Sequence, residues 1–272
     1  MLERLSLEGK TVIVTGGGTG LGRRMALHLA AAGADLALAG RRPAPLEAVA
    51  AEVRALGRRV LAIPTDVTDS AQVDRMVESV LDSLGPVDGL VNNAGQAERP
   101  GRPIWEVSDA EWRDGLDANL TGAFYCCRAV ARPMVERGRG RIVNVSSHFG
   151  LRGVRDQYVY TTAKGGLIQL TRTLAISLSR HGITCVGLVP GAFYTEATAH
   201  LREAMPQTEH VPVGYFGDSE EIGPAVVFLT SDASEYLNGE VFPIDGGVLA
   251  SGVAPTGYAP VLPWDPGIAG GQ

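Results

Sequence analysis

The chain is nearly devoid of lysine: of its 24 basic residues, only Lys10 and Lys164 are Lys and the other 22 are Arg. Cysteine is just as scarce. Cys126, Cys127 and Cys185 are odd in number and sit in apolar surroundings, which argues against a disulfide framework and for reduced core thiols. Apolar runs of bilayer-spanning length are missing. The opening residues, Met1-Leu-Glu-Arg-Leu-Ser-Leu-Glu-Gly-Lys10, have neither the cationic start nor the apolar centre of a secretory signal, so a soluble, cytoplasmic protein is expected. There is no basic stripe, and the net charge of -6 makes nucleic acid and anionic membrane poor partners. The five His show no ligand-like spacing with one another or with Cys, so no dedicated metal site is expected.

What is present is an alternation of apolar runs and segments of helical period. Thr11 to Thr15, Leu36 to Ala39, Val60 to Pro64, Gly89 to Asn92, Arg141 to Val145, Ile183 to Val189 and Glu240 to Ile244 read as strands. Gly22 to Ala32, Pro45 to Leu56, Ala71 to Leu84, Asp109 to Arg137 and Tyr158 to Ser179 read as helices. The β-α-β rhythm and apolar strands predict one α/β domain over residues 1–250, a doubly wound, mostly parallel seven-stranded sheet of Rossmann type with helices on both faces. Ligands then bind beyond the carboxyl ends of the strands, where strand order reverses. Residues 251–272 are rich in Pro and Gly, with Pro255, Pro260, Pro263, Pro266 and Trp264 among them. They read either as a loosely ordered tail or as a segment that docks Trp264 on a neighbouring subunit or over the active-site mouth.

The strand ends carry the chemistry. Thr15-Gly-Gly-Gly-Thr-Gly-Leu-Gly22 follows the first strand and opens a helix. Gly16, Gly18, Thr19, Gly20, Leu21 and Gly22 are thus candidates for cradling a pyrophosphate against the helix N-terminus. Asp66 and Val67 follow the third strand, where a carboxylate and an amide could pair with an adenine ring; a helix N-cap is the alternative use of Asp66, for which Asp69 or Ser70 would serve as well. Asn92-Asn-Ala-Gly95 follows the fourth, and Asn93, Ala94 and Gly95 permit close approach of a flat ligand, although a structural Asn turn would look the same. The second strand ends Gly40-Arg41-Arg42 with no acidic residue to take a ribose 2′-hydroxyl, and Arg41 suits the 2′-phosphate of NADP. Thr19 weighs the other way, since a basic residue there would supply a second phosphate contact, so NADP(H) is favoured and NAD(H) stays possible.

Tyr160 and Lys164 stand at i and i+4 on one helix face. A free phenol near pKa about 10 is a poor acid at neutral pH, and a neighbouring ammonium lowers that value. A Lys rather than an Arg at 164 fits proton transfer, because its charge is compact and its pKa can move. The pair can deliver a proton to a carbonyl oxygen that receives hydride. Ser146-Ser147 ends the preceding strand, where either hydroxyl could orient that carbonyl or simply cap a turn.

Thr15-Gly-x-x-x-Gly-x-Gly22, Asp66, Asn92-Asn-Ala-Gly95, Asn119, Ser147, Tyr160-x-x-x-Lys164, Pro190-Gly191, Thr195 and Asp245-Gly-Gly247 together resemble the short-chain dehydrogenase/reductase family across residues 7 to 250. The resemblance implies that Tyr160 is the acid/base and that Ser147, thirteen residues before it, polarises the substrate. It implies that Lys164 binds the nicotinamide ribose and tunes Tyr160, that Asn119 holds a water linking Lys164 to solvent, and that Pro190, Gly191 and Thr195 fix the carboxamide. It also implies a homotetramer built through the helices of Asp109 to Arg137 and Tyr158 to Ser179. His148, Phe149, Tyr158, Phe193 and Tyr194 form an expected aromatic substrate lining, with core packing the alternative for Phe149 and Phe193. Glu196 to Val211 reads as a lid. The expected activity is NADP(H)-dependent oxidoreduction of a carbonyl/secondary-alcohol pair, of 3-oxoacyl-reductase or specialised ketoreductase type. The alternatives are an NAD-dependent sugar or polyol dehydrogenase and a non-catalytic dinucleotide sensor.

Overall fold

The computed structural model describes residues 2–96, 101–195 and 211–251. Its strands form where aliphatic and β-branched residues cluster: β1 (Thr11–Thr15), β2 (Asp35–Gly40), β3 (Val60–Pro64), β4 (Val87–Asn92), β5 (Gly140–Val145), β6 (Ile183–Pro190), the two-residue β7 (Phe193–Tyr194) and β8 (Gly217–Asp218), and β9 (Val241–Ile244). The helices are α1 (Gly20–Ala31), α2 (Pro43–Ala55), α3 (Ser70–Ser83), α4 (Asp109–Leu116), α5 (Gly122–Arg137), α6 (Tyr158–Leu178) and α7 (Gly223–Thr230). The order β3-β2-β1-β4-β5-β6-β9, parallel throughout, confirms the doubly wound sheet. Strand order reverses between β1 and β4, so a crevice opens there at the carboxyl ends.

Alternate side chains of each central strand feed two cores. Val12, Val14, Leu36 and Leu38 pack with Met25, Leu29, Leu46, Val53 and Val226 of α1, α2 and α7. Ile13, Leu90 and Ile142 pack with Met76, Val80, Cys126, Val130 and Ala175 of α3, α5 and α6. Burial on both faces holds for β1, β2 and β5, but the edge strands β3 and β9 are only half-buried, since each lacks a second neighbour in the sheet. At the amino-terminal end of the sheet, Lys10 Nζ lies 2.8 Å from Asp232, with Arg139 on the same carboxylate.

One expectation changes in kind. The stretch from Asp109 to Arg137 is not one uniform helix: Asp117–Thr121 forms a π turn between α4 and α5, with buried Asn119 inside it. Helix α7 was not legible as a separate element. The expected lid lies outside the described residues except for Val211, and so does the tail except for Ser251. Among the described residues, no helix is long and apolar enough to cross a membrane and no group of three or more His, Cys, Asp or Glu could hold a metal ion.

Candidate active site

The glycine loop is locked to the end of β4 by a polar clasp. Thr15 Oγ1 accepts the Asn93 and Ala94 amides, both at 3.0 Å, and Asn93 Nδ2 donates to the carbonyls of Thr15 (3.1 Å) and Gly16 (3.3 Å). Gly16 has φ +66°, and a Cβ there would stand 2.8 Å from Asn93 Nδ2; a Cβ on Gly22 would collide with the Gly16 carbonyl and the same Nδ2. The crossing of these two strand ends therefore tolerates only glycine. Asn93 spends its side-chain amide on this clasp. Thr15, to which sequence reasoning gave no role of its own, is its hub.

Beyond the clasp lies a groove bordered by Gly16, Gly18, Thr19, Arg41, Arg42 and Asp66, among others, with Val67, Ala94 and Gly95 along its wall. Helix α1 starts beside Thr19 at its edge, with no acidic residue in the first turn and no side-chain cap from Thr19, so the positive end of its dipole lies at the groove. Leu21 packs on the core, and Gly20 sits beside Thr195, so the far end of the groove meets the segment after β7. Asp69, not Asp66, caps α3, accepting the Ala71 and Gln72 amides. Asp66 folds its own turn through Oδ1, which accepts from Thr68 N (3.0 Å) and Thr68 Oγ1 (2.8 Å). Arg41 and Arg42 are both exposed on the groove rim, and among the described residues neither has an acidic partner. These features fit a dinucleotide: a Cβ-free approach, the positive end of a helix dipole for the pyrophosphate and, at the ribose end, two guanidinium groups that have no acidic partner among the described residues.

At the other end, Lys164 is 4% exposed and donates from Nζ to the Val145 carbonyl at 3.0 Å. Burial lowers its pKa to about 8. Tyr160, half-buried, lies one helical turn earlier with its ring centroid 5.7 Å from Lys164 Nζ. The π turn leaves the Gly115 carbonyl for Asn119 Nδ2 (3.0 Å), while Asn119 Oδ1 accepts the Gln96 amide (3.1 Å). A Cβ on Gly95 would stand 2.7 Å from Asn119 Oδ1 and 3.6 Å from Lys164 Nζ, which puts the β4 end, Asn119 and Lys164 in one cluster.

The two serines have different uses. Ser146 Oγ donates to the Lys164 carbonyl at 2.8 Å and is spent on anchoring α6. Among the described residues, Ser147 Oγ only accepts the Phe149 amide at 3.2 Å, with no acceptor for its own hydroxyl proton. His148 Nδ1 lies 3.1 Å from the Pro190 carbonyl, and its ring meets that of Phe149 at a tilt of 58° with centroids 4.0 Å apart. Gly191 N donates to Ile244 O, fixing the turn after β6 against β9. Of the expected aromatic lining, Phe193 belongs to the core, Tyr194 meets Phe216 edge-on at 5.4 Å, and the Tyr158 hydroxyl donates to Asp156 at 3.0 Å. That last bond, the first cause, raises the pKa of Tyr158.

Sequence reasoning missed a buried ladder beneath the site. Asn92 Nδ2 donates to Asn144 Oδ1 and Asn144 Nδ2 to Thr171 Oγ1, both at 2.9 Å, tying β4, β5 and α6 together. Its signal is a polar residue at a fully buried position of an otherwise apolar strand.

Comparison with known proteins agrees with this geometry. The short chain dehydrogenase family model matches residues 10–206. The chain belongs to the short-chain dehydrogenase/reductase family. It is 38% identical over 256 residues to gluconate 5-dehydrogenase of Gluconobacter oxydans, covering 92% of this chain and 98% of that one. It is 33% identical over 246 residues to a 3-oxoacyl-[acyl-carrier-protein] reductase of Synechocystis, covering 90% and 98%. A solved Beutenbergia cavernae structure, assigned as an NAD(P)-dependent gluconate 5-dehydrogenase and holding NADP at low occupancy, superposes with a TM-score of 0.85 at 35% identity, covering 91% and 99%. This short-chain dehydrogenase/reductase is thus an enzyme that interconverts CH–OH and C=O groups of small molecules with a nicotinamide cofactor.

Proposed function

We propose that this enzyme is NADP(H)-dependent, with Tyr160 as the group that gives a proton to the substrate oxygen in reduction and takes it back in oxidation. The observation that carries the reading is the Lys164 ammonium, sealed on the Val145 carbonyl one turn from Tyr160. A cation this desolvated interacts strongly with a forming phenolate, which makes Tyr160 a competent acid near neutral pH. Ser147, whose hydroxyl proton has no acceptor among the described residues, steadies the same substrate oxygen. Asn119, in its π turn, holds the exit by which Lys164 regains a proton from solvent. When bound, the nicotinamide supplies or accepts the hydride. Gly16, Gly18, Thr19, Gly20 and Gly22 hold the pyrophosphate, Asp66 and Val67 the adenine, Ala94 and Gly95 the face of the cofactor, Lys164 the nicotinamide ribose, and Pro190, Gly191 and Thr195 the carboxamide. Asn93 acts through the clasp. Arg41, joined by Arg42, holds the 2′-phosphate; the absence of an acidic partner for either among the described residues supports NADP over NAD.

For the substrate, similarity to gluconate 5-dehydrogenase supports a sugar or polyol derivative alongside the 3-oxoacyl reading. We further propose a cytoplasmic homotetramer. Three buried free thiols support a reducing compartment, and Phe124 on α5 and Ile176 on α6, 42% and 80% exposed, support subunit contacts through these helices. The test of the catalytic reading is Tyr160→Phe. NADPH binding should be retained while turnover falls by about 10²–10⁴; turnover within threefold or so of the native enzyme would remove Tyr160 from the chemistry.

A further inference from the structure

His148 follows Ser147 directly and spans from the end of β5 to the end of β6, where its Nδ1 meets the Pro190 carbonyl at 3.1 Å. A carbonyl oxygen can only accept, so Nδ1 must carry a proton. Burial is the main reason that the ring's pKa sits below its ordinary value; the Pro190 carbonyl and the Asp245 charge pull it up and Arg152 pulls it down. The ring is therefore neutral at physiological pH, and its second nitrogen, Nε2, is a lone-pair acceptor. Among the described residues nothing bonds to Nε2. The charged neighbours are engaged elsewhere. Asp245 accepts the Gly247 and Leu249 amides, and Arg152 donates to the Val248 carbonyl. Phe149 packs against the ring at a tilt of 58° with centroids 4.0 Å apart, and this contact, with the bond to Pro190, opposes rotation that would move Nε2 away.

We propose that His148 is a specificity-determining residue whose Nε2 accepts a hydrogen bond from a substrate hydroxyl close to the reacting carbonyl, so that the enzyme prefers hydroxylated ketones, such as those of polyols, to their deoxy analogues. The inference rests on the Tyr160 reading, because the hydroxyl is placed relative to the carbonyl that Ser147 and Tyr160 hold. An acyl thioester lacks such a donor beside its keto group and would leave Nε2 unpaired.

The test compares kcat/KM for 2-hydroxycyclohexanone and cyclohexanone with NADPH, in the full chain. One well-placed neutral hydrogen bond gives the hydroxyketone an advantage of about three- to tenfold. His148→Leu should bring the ratio near unity. His148→Gln should recover much of it, since its amide can donate to Pro190 O and still offer an acceptor oxygen. A merely structural His148 would instead shift NADPH affinity and both ketones together. Equal use of the two ketones by the native enzyme, or a preference that survives in His148→Leu, would overturn the proposal. Inertness of the hydroxyketone would overturn it as well, and would reach the Tyr160 reading only if unsubstituted ketones were equally inert.

Discussion

Replacing Lys164 by Met should make the protein more stable and nearly inactive at once. The ammonium is 4% exposed, and burial brings its pKa from 10.5 to about 8. At about 1.36 kcal/mol per pH unit, that gap is roughly 3 kcal/mol spent on keeping the charge inside. Met fills a similar volume without charge and forfeits the charge-assisted bond to Val145 O, which is worth about 1.5–3 kcal/mol. Urea unfolding of the cofactor-free protein at pH 7 should therefore show Lys164→Met to be more stable by about 0.5–2 kcal/mol, while kcat drops by at least about 10². The sign with pH follows from a folded pKa below the unfolded one. The penalty is complete below about 8 and disappears as pH rises through the window from about 8 to 10.5, where the unfolded chain still holds the proton. Native stability should climb relative to the variant across that window, and the two curves should cross within about its first 1.5 pH units, after which the native protein is the more stable. A Met variant less stable than the native protein at pH 7 would refute the reasoning, because the partners of the ammonium would then outweigh its desolvation.

Two further outcomes test the cofactor end. Arg41→Ala should weaken NADPH by about 1.5–3 kcal/mol while leaving NADH nearly unchanged, measured by fluorescence titration; equal losses for both would dismiss the phosphate contact. Gly22→Ala should raise the NADPH Kd at least tenfold or so and lower stability by about 1–3 kcal/mol in urea, because its Cβ meets the Gly16 carbonyl and Asn93; native-like affinity would mean that the clasp is looser than drawn.

The frame of this protein was legible because each informative residue follows a strand, and strands announce themselves by apolar runs. All seven strands of the main sheet fall where Val, Ile and Leu cluster, and the i, i+4 spacing alone puts Tyr160 and Lys164 on one face. What stayed hidden depends on partners far apart in the chain. Nothing near Ser146 says that its hydroxyl belongs to the Lys164 carbonyl, 18 residues on. Thr15 looked like the last residue of a strand, and only the parallel pairing of β1 with β4 makes it a hub for amides 78 and 79 residues away. The π turn leaves no trace in a period measured over long windows, since one extra residue per turn is lost among the 3.6-residue repeats around it. Asp66 and Asp69 compete for one cap in the sequence, and only coordinates show that Asp69 takes it.

The scarcity of lysine has a practical side. Both amine side chains are out of reach in the folded state: Lys164 beneath Tyr160, and Lys10, 12% exposed, clamped on Asp232. An acylating reagent at low dose would find almost no lysine to modify until the structure opens. The sheet has one amine near each end, Lys10 leading into β1 and Lys164 below the carboxyl end of β5. Labelling rates at the two positions, read by mass spectrometry, would thus time the fraying of opposite ends of a single sheet with no engineered probe.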